Sequence, residues 1–95
     1  MKKIPDTDFL IYASKTSCFD GFIKDGCLHL TSEVYGDGDL YMNSEKHYDF
    51  TKEDTSKLFS LISVEEFVES CKQGGTMWLH DFLWKNDIHP KTCCI

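Results

Sequence analysis

Residues 50–86 read FTKEDTSKLFSLISVEEFVESCKQGGTMWLHDFLWKN, and this stretch decides the fold because it contains two signals for the start of a helix. Thr51 stands three residues before Asp54, and Ser63 stands three residues before Glu66. In each pair the hydroxyl can accept a hydrogen bond from a free backbone N–H, and the acid lies near the positive end of the helix. The stretch therefore predicts one helix after Thr51 and another after Ser63.

Apolar residues recur at helical spacing behind both signals, and a glycine pair divides the stretch. Gly74-Gly75 favours the end of the second helix, and Thr76 can cap a third. That helix stops at Asn86, before Pro90. The expected buried stripes comprise Leu58, Leu61 and Ile62, then Val64, Phe67, Val68 and Cys71, and then Met77, Trp78, Phe82 and Leu83.

The front half of the chain is typical of strands joined by tight turns. Residues 9–14 and 19–23 are short runs of β-forming residues, and residues 27–35 alternate apolar with polar side chains. Asp25-Gly26 supplies the positive φ angles of a hairpin turn, so the second and third runs are expected to pair antiparallel. A fourth run, within residues 40–50, is polar in its middle.

Together these patterns predict an α+β fold, with residues 1–95 forming a single domain. The expected architecture is an antiparallel meander of three or four strands followed by two or three short helices packed on one face. Residues 91–95, KTCCI, are a possible C-terminal strand. The helical layer would cover the apolar side of the sheet and leave the other side free to be solvated or to bind a partner.

The charge balance favours a basic protein partner over nucleic acid. The chain has a net charge of −6 and a pI near 5.0, and all ten of its basic residues are lysines. Binding to phosphates requires clustered lysine or arginine, and the missing arginine also removes the side chain best suited to bidentate clamps. We therefore expect no direct binding of nucleic acid.

The start of the chain and the cysteine count favour a cytosolic protein. Pro5, Asp6 and Asp8 stand where a signal peptide would place its apolar run, and no run approaches 18 apolar residues. No membrane span is therefore expected. The five cysteines are an odd number, and in a reducing compartment we expect thiols in place of disulfides.

No group of residues has the spacing of a catalytic or metal site. The histidines and cysteines lie singly apart from Cys93-Cys94, with no C-x-x-C and no H-x-x-x-H, so we expect neither a metal nor a cofactor. The one compact arrangement for nucleophilic catalysis is Cys71 with His80 and Asp81. Because Cys71 falls on an apolar stripe, burial explains it better than catalysis. We therefore expect no enzymatic activity.

Residues 33–49 form an acidic segment, in which five carboxylates stand against the single Lys46 for a local charge of −4. The simplest interpretation is a solvated sheet face and loop. The functional interpretation is a patch that attracts a basic partner, interleaved with tyrosines of the kind that anchor interfaces. Trp84 lies on a different side of its helix from Trp78 and is a further candidate contact. The residues expected to bind a partner are Glu33, Tyr35, Asp37, Asp39, Tyr41, Glu45, Tyr48, Asp49 and Trp84.

After the strands, the chain runs through TKEDTSKLFSLIS into VEEFVESC, and then through a Trp/Leu helix to a short cysteine-rich terminus. This order resembles small bacterial immunity proteins, which are encoded beside polymorphic toxins, including those of contact-dependent growth inhibition systems. The resemblance covers mainly residues 48–95 and carries no catalytic motif. It implies a cytosolic antitoxin that binds and neutralises a cognate toxin domain, often a basic nuclease, by stoichiometric protein–protein interaction.

Two other functions stay open at this point. A small adaptor or a homodimer would be joined through an open sheet edge, and the free protein is expected to be a monomer or a weak dimer. A thiol-dependent enzyme or sensor would use Cys71 or the Cys93-Cys94 pair, and such a thiol must be accessible at neutral pH.

Overall fold

A computed structural model describes residues 4–14, 17–34 and 44–94, and it confirms the α+β class. An antiparallel sheet is combined with helices that follow the fourth strand. The elements in chain order are β1 (Thr7–Ala13), β2 (Ser17–Lys24), β3 (Cys27–Val34), β4 (Ser44–Asp49), α1 (Lys52–Leu61), α2 (Val64–Lys85) and β5 (Lys91–Cys94).

The five strands form one sheet in the order β1-β2-β3-β4-β5, and every neighbouring pair is antiparallel. Asp25 and Gly26 have φ angles of 54° and 79° in the turn that joins β2 to β3, as a tight hairpin turn requires. Both helices lie between β4 and β5 in the sequence. The last strand returns beside β4, with Thr92 opposite Tyr48.

Both helices begin at the two capping pairs. The Thr51 Oγ1 atom accepts a hydrogen bond from the Asp54 backbone N–H at 3.1 Å, and Ser63 Oγ accepts one from Glu66 N–H at 3.1 Å. The Ser63 hydroxyl also lies 3.2 Å from the Glu66 carboxylate. These bonds satisfy N–H groups that the first turn of a helix leaves without a partner.

The glycine pair interrupts α2 and divides it into two helical segments. The element Val64–Lys85 has a kink at Gly75, whose dihedral angles are non-helical, with φ 62° and ψ −155°. The predicted third helix is therefore the second segment of α2. Glycine reaches these angles without a steric clash because it has no Cβ atom.

The hydrophobic core lies between the sheet and the helices. Among the described residues, the buried apolar side chains are Ile11, Phe19, Ile23, Leu28, Leu30, Tyr48, Phe50, Leu58, Phe67, Cys71, Leu79, Leu83 and Ile88. Two residues that were expected in the buried stripes are instead exposed, Leu61 at 52% and Met77 at 83%. Leu79 takes the buried place on the second segment of α2, because it lies one helical turn before buried Leu83 and therefore on the same face.

One buried hydroxyl links the first helix to the sheet. Thr55 is fully buried, and its Oγ1 atom accepts a hydrogen bond from Leu28 N–H at 3.0 Å and donates to the Thr51 carbonyl oxygen at 2.7 Å. We expect Thr55→Val to lower the free energy of unfolding by about 1–3 kcal/mol, because the Leu28 N–H loses its acceptor inside the core. Urea unfolding measures this change. Thr55→Ser, which retains the hydroxyl, should cost less; an equal cost would contradict the role of the hydrogen bond.

Candidate binding surface

One face of the sheet carries no helix. Residues that are cross-strand partners point to the same side of a sheet, so the register defines rows of side chains across this face. One row runs from Asp8 through Phe22 and His29 to Asp49. Buried Ile23 and Leu28 come next to this row along their strands and point to the helices. We call the helix-free side the outer face.

Two further rows complete the outer face. The second runs from Leu10 through Asp20 and Thr31 to His47 and Cys93, and the third from Cys18 through Glu33 to Glu45. A shallow groove of about 580 Å³ crosses the face from Leu10 on β1 to Glu45 and His47 on β4. The outer face thus brings together residues from all five strands, and the groove is lined by residues from the first four.

Carboxylates dominate the charge of the outer face. Its acidic residues within the described part of the chain are Asp8, Asp20, Glu33, Glu45 and Asp49. Its described lysines, Lys24 and Lys91, lie towards the end of the sheet that carries the β2–β3 turn. The rows that hold Asp20, Glu33 and Glu45 contain no lysine, so the potential there is negative and favours cations.

The carboxylates at the centre of the outer face are close enough to affect one another. The pKa of Asp20 is raised, first by partial burial and then by the negative charge of Glu33. Burial, and then the negative charges of the same two carboxylates, raise the pKa of the Cys18 thiol. A cation placed between Asp20 and Glu33 would relieve this repulsion, because an opposite charge favours the ionised form.

Two histidines lie among these acids, and each contacts one of them. His29 Nδ1 lies 2.7 Å from Asp49 Oδ1, and His47 Nε2 lies 3.2 Å from Glu45 Oε1. The other ring nitrogen of His47 is 3.3 Å from the Thr31 hydroxyl. These contacts orient the side chains on β3 and β4 before any partner binds.

Apolar groups lie beside the acids on the outer face. Leu10 is 58% exposed and Phe22 is 40% exposed. The Phe22 ring stacks on His29, with the ring centroids 4.7 Å apart. An exposed aromatic side chain of fixed orientation, surrounded by charged groups, is typical of a contact that is buried when a protein partner binds.

The predicted partner-binding residues fall into three groups. Glu33, Glu45 and Asp49 lie together on the outer face. Trp84 is 76% exposed, but it lies on α2, on the helical side of the sheet. The residues Tyr35, Asp37, Asp39 and Tyr41 lie outside the described residues.

Tyr48 does not belong to the outer face. It is 1% exposed, and its hydroxyl lies 3.0 Å from His80 Nε2 of α2. The prediction was wrong because Tyr48 occupies the strand position between His47 and Asp49, and side chains alternate between the two faces of a strand. Its ring belongs to the core.

The prediction missed Asp8, Leu10, Asp20 and Phe22, which contribute the β1 and β2 part of the outer face. For Asp20 and Phe22, the alternation of residue types along β2 is visible in the sequence and could have indicated this face. In β2 the polar or exposed residues Asp20 and Phe22 alternate with Phe19, Gly21 and Ile23, which are buried. The prediction was confined to residues 33–49 because those acids are near one another in sequence. In the folded sheet, acids from separate strands lie on the same face.

In the part of the chain that the structure describes, no group of three or more histidine, cysteine, aspartate or glutamate side chains is placed to hold a metal ion. Cys18, Cys27, Cys71 and Cys93 are free thiols. Among the described residues, no helix is long and apolar enough to cross a membrane.

Similarity to known proteins does not indicate what this surface binds. Comparisons with protein-family models, with curated proteins and with solved structures found no match.

Burial determines the reactivity of Cys71. The thiol is buried against the core, and this burial raises its pKa to about 12. We expect the folded protein at pH 8 to leave Cys71 unlabelled by a thiol reagent while exposed Cys93 is labelled, because only the thiolate reacts and it must be accessible. Peptide mass mapping after labelling measures both sites. Labelling of Cys71 at the rate of Cys93 would contradict this, and labelling in denaturant is the positive control.

Proposed function

We propose that this protein is a cytosolic immunity protein that binds a cognate toxin domain through the outer face and neutralises it. The complex is stoichiometric and involves no turnover. The observation that carries the proposal is the arrangement of five carboxylates around exposed Leu10 and Phe22 on a sheet face that no helix covers. The resemblance of residues 48–95 to small immunity proteins supports the same function.

Charge complementarity indicates the class of toxin. A surface that binds nucleic acid is rich in lysine and arginine, and those cations fit the negative rows of Asp20, Glu33 and Glu45. We therefore propose a basic, nuclease-like domain as the partner. Long-range attraction between the two surfaces would accelerate association, while Phe22 and Leu10 supply apolar contact once water is excluded.

A thiol-dependent function is less well supported. The buried Cys71 thiol lacks the accessible, electropositive environment that a reactive cysteine needs. His80, which was considered as its base, instead contacts the hydroxyl of Tyr48. The Cys71, His80 and Asp81 arrangement is therefore a poor nucleophilic site.

One observation favours the adaptor or homodimer function. Strand β1 is an edge strand of the sheet, and it exposes Leu10 and Tyr12. A register shift between Leu10 and Tyr12 interrupts its ladder, however, and such irregularities hinder regular pairing with another strand. Sedimentation of the free protein tests this function, because a stable dimer would support it and a monomer would favour the immunity proposal.

Co-expression tests the proposed function directly. The probe is the C-terminal domain encoded by the gene immediately upstream, produced with and without this protein. We expect rescue of host growth and co-purification of the two chains in a fixed ratio. Growth arrest despite abundant folded protein, with no complex recovered, would overturn the proposal for that pair.

A further inference from the structure

A pocket on the helical side of the sheet is separate from the outer face. It lies where the end of α2 passes β4 and β5, and its volume is about 180 Å³. Leu83 and Trp84 come from α2, Ile88 and Pro90 from the segment that follows, and Thr92 from β5. The pocket therefore forms where three elements meet.

Four ring side chains contribute to the lining of this pocket, namely Tyr48, His80, Trp84 and His89. Trp84 and His89 are held edge to face, with centroids 6.2 Å apart. The rings of Tyr48 and His80 are tilted at 56° to one another, with centroids 5.7 Å apart. Tyr48 is buried, so the rings that are accessible to a ligand are those of Trp84, His80 and His89. Trp84 and His89 can present a face and an edge to a ring placed beside them, which is the preferred geometry of aromatic pairs.

The segment that forms one wall is fixed by its own hydrogen bonds. Ile88 N–H donates to the Leu83 carbonyl oxygen at 2.9 Å, and Asp87 N–H donates to the Trp84 carbonyl oxygen at 3.2 Å. His89 Nε2 lies 2.8 Å from the Asp87 carboxylate. The position of the His89 ring beside Trp84 therefore does not depend on a ligand, so the pocket is preformed.

The lining contains no carboxylate and no lysine. A charged ligand would therefore lose hydration without gaining a counter-charge. Burial, and secondarily the charge of Lys46, lower the pKa of His80, which keeps this ring uncharged at neutral pH. The Tyr48 hydroxyl and His80 Nε2 already contact one another at 3.0 Å.

The volume of the pocket is suited to a ligand with a single aromatic ring. A cavity of roughly 150 Å³ is enough to hold benzene, and this pocket is slightly larger. It is smaller than the roughly 300–1,000 Å³ typical of sites for larger ligands. We propose that this pocket binds a single neutral aromatic ring, supplied either by a free small aromatic molecule or by a phenylalanine or tyrosine side chain of a protein.

Titration with p-cresol, monitored by amide and indole NMR shifts, tests the proposal on the intact chain. We expect saturable shifts at the Trp84 indole N–H and the Thr92 amide, with a dissociation constant on the order of 1 mM because the ligand is so small. The Asp20 amide, on the outer face, should not shift. Absence of saturable shifts at Trp84 and Thr92 would overturn the proposal.

A second ligand and two protein variants distinguish recognition of an aromatic ring from non-specific hydrophobic binding. Cyclohexanol, which lacks the aromatic ring, should bind several-fold more weakly than p-cresol, and equal binding would overturn the aromatic class. Trp84→Ala should weaken p-cresol binding several-fold. The matched control is Met77→Ala, which removes another exposed side chain of α2 and should leave binding unchanged. An equal loss in both variants would overturn the site.

A filling variant and a third ligand complete the test. Thr92→Phe places a ring from exposed β5 into the pocket and should abolish p-cresol binding, whereas Thr92→Val should retain it. Retained binding in a folded Thr92→Phe protein would overturn the location. N-acetyl-tyrosine amide distinguishes the sources: tighter binding than p-cresol supports a protein side chain, and weaker binding supports a free small molecule.

Discussion

Replacing Phe67 by alanine is expected to remove about 3–5 kcal/mol from the free energy of unfolding, the largest effect on stability among the substitutions considered. Phe67 is fully buried at the start of α2. Its ring meets Phe59 of α1 edge to face at 5.6 Å and Trp78 of the second α2 segment at 5.9 Å. The substitution therefore removes a contact that joins all three helical segments and leaves a cavity between them.

Chemical denaturation of purified protein measures this effect. A small domain has a total stability of about 5–15 kcal/mol, so the variant should be close to unfolding at 37 °C. Leu61→Ala is the matched control, since it shortens an apolar side chain that is largely exposed and should cost much less. A loss below about 1 kcal/mol for Phe67→Ala would contradict the packing described above.

Reversing two charges at the centre of the outer face is expected to produce the largest effect on binding. In the double variant Asp20→Lys, Glu33→Lys, association with a basic toxin domain should slow by about 10-fold or more at low ionic strength. The variant should remain folded, because neither side chain is buried in the core and surface substitutions usually cost little stability. The expected difference shrinks as salt rises, since screening shortens the range of the attraction.

A matched control separates the local surface from the total charge. The double variant Glu69→Lys, Asp81→Lys changes the net charge of −6 by the same amount but alters exposed positions of α2, on the helical side. Its association rate should fall much less. Stopped-flow mixing at several salt concentrations measures both rates. Equal slowing in the two variants would assign the effect to net charge and remove the outer face from the proposed function.

Capping chemistry is local, and for this reason the helix starts could be predicted. Thr51 and Ser63 act on N–H groups within their own first turn, so the sequence spacing alone defines the contact. The Asp25-Gly26 turn is likewise determined by the φ angles those residues adopt. The glycine pair was likewise predicted to separate two helical segments, and Gly75 has non-helical angles at this point because glycine adopts a positive φ without a steric clash.

The composition of the outer face could be predicted only in part. Glu33, Glu45 and Asp49 were recognised as acids on a wet surface, but Tyr48 was placed with them although it lies in the core. The error is one of alternation: neighbouring residues on a strand point to opposite faces, so a shift of one position moves a side chain from one face to the other. Asp8 and Asp20 were not predicted to belong to this surface, because the acids that share the face with them lie on other strands and are distant in sequence.

The sequence by itself determined the α+β class, the starts of the helices and the acidic balance, because periodicity, capping and net charge are properties of neighbouring residues or of the whole composition. Only the tertiary structure decided which carboxylates share a face and which rings share a pocket. The row from Asp8 to Asp49 requires the pairing of four strands, and the pocket beside Trp84 requires β5 to return next to β4. Contacts between residues far apart in sequence depend on register and packing, which no local pattern contains.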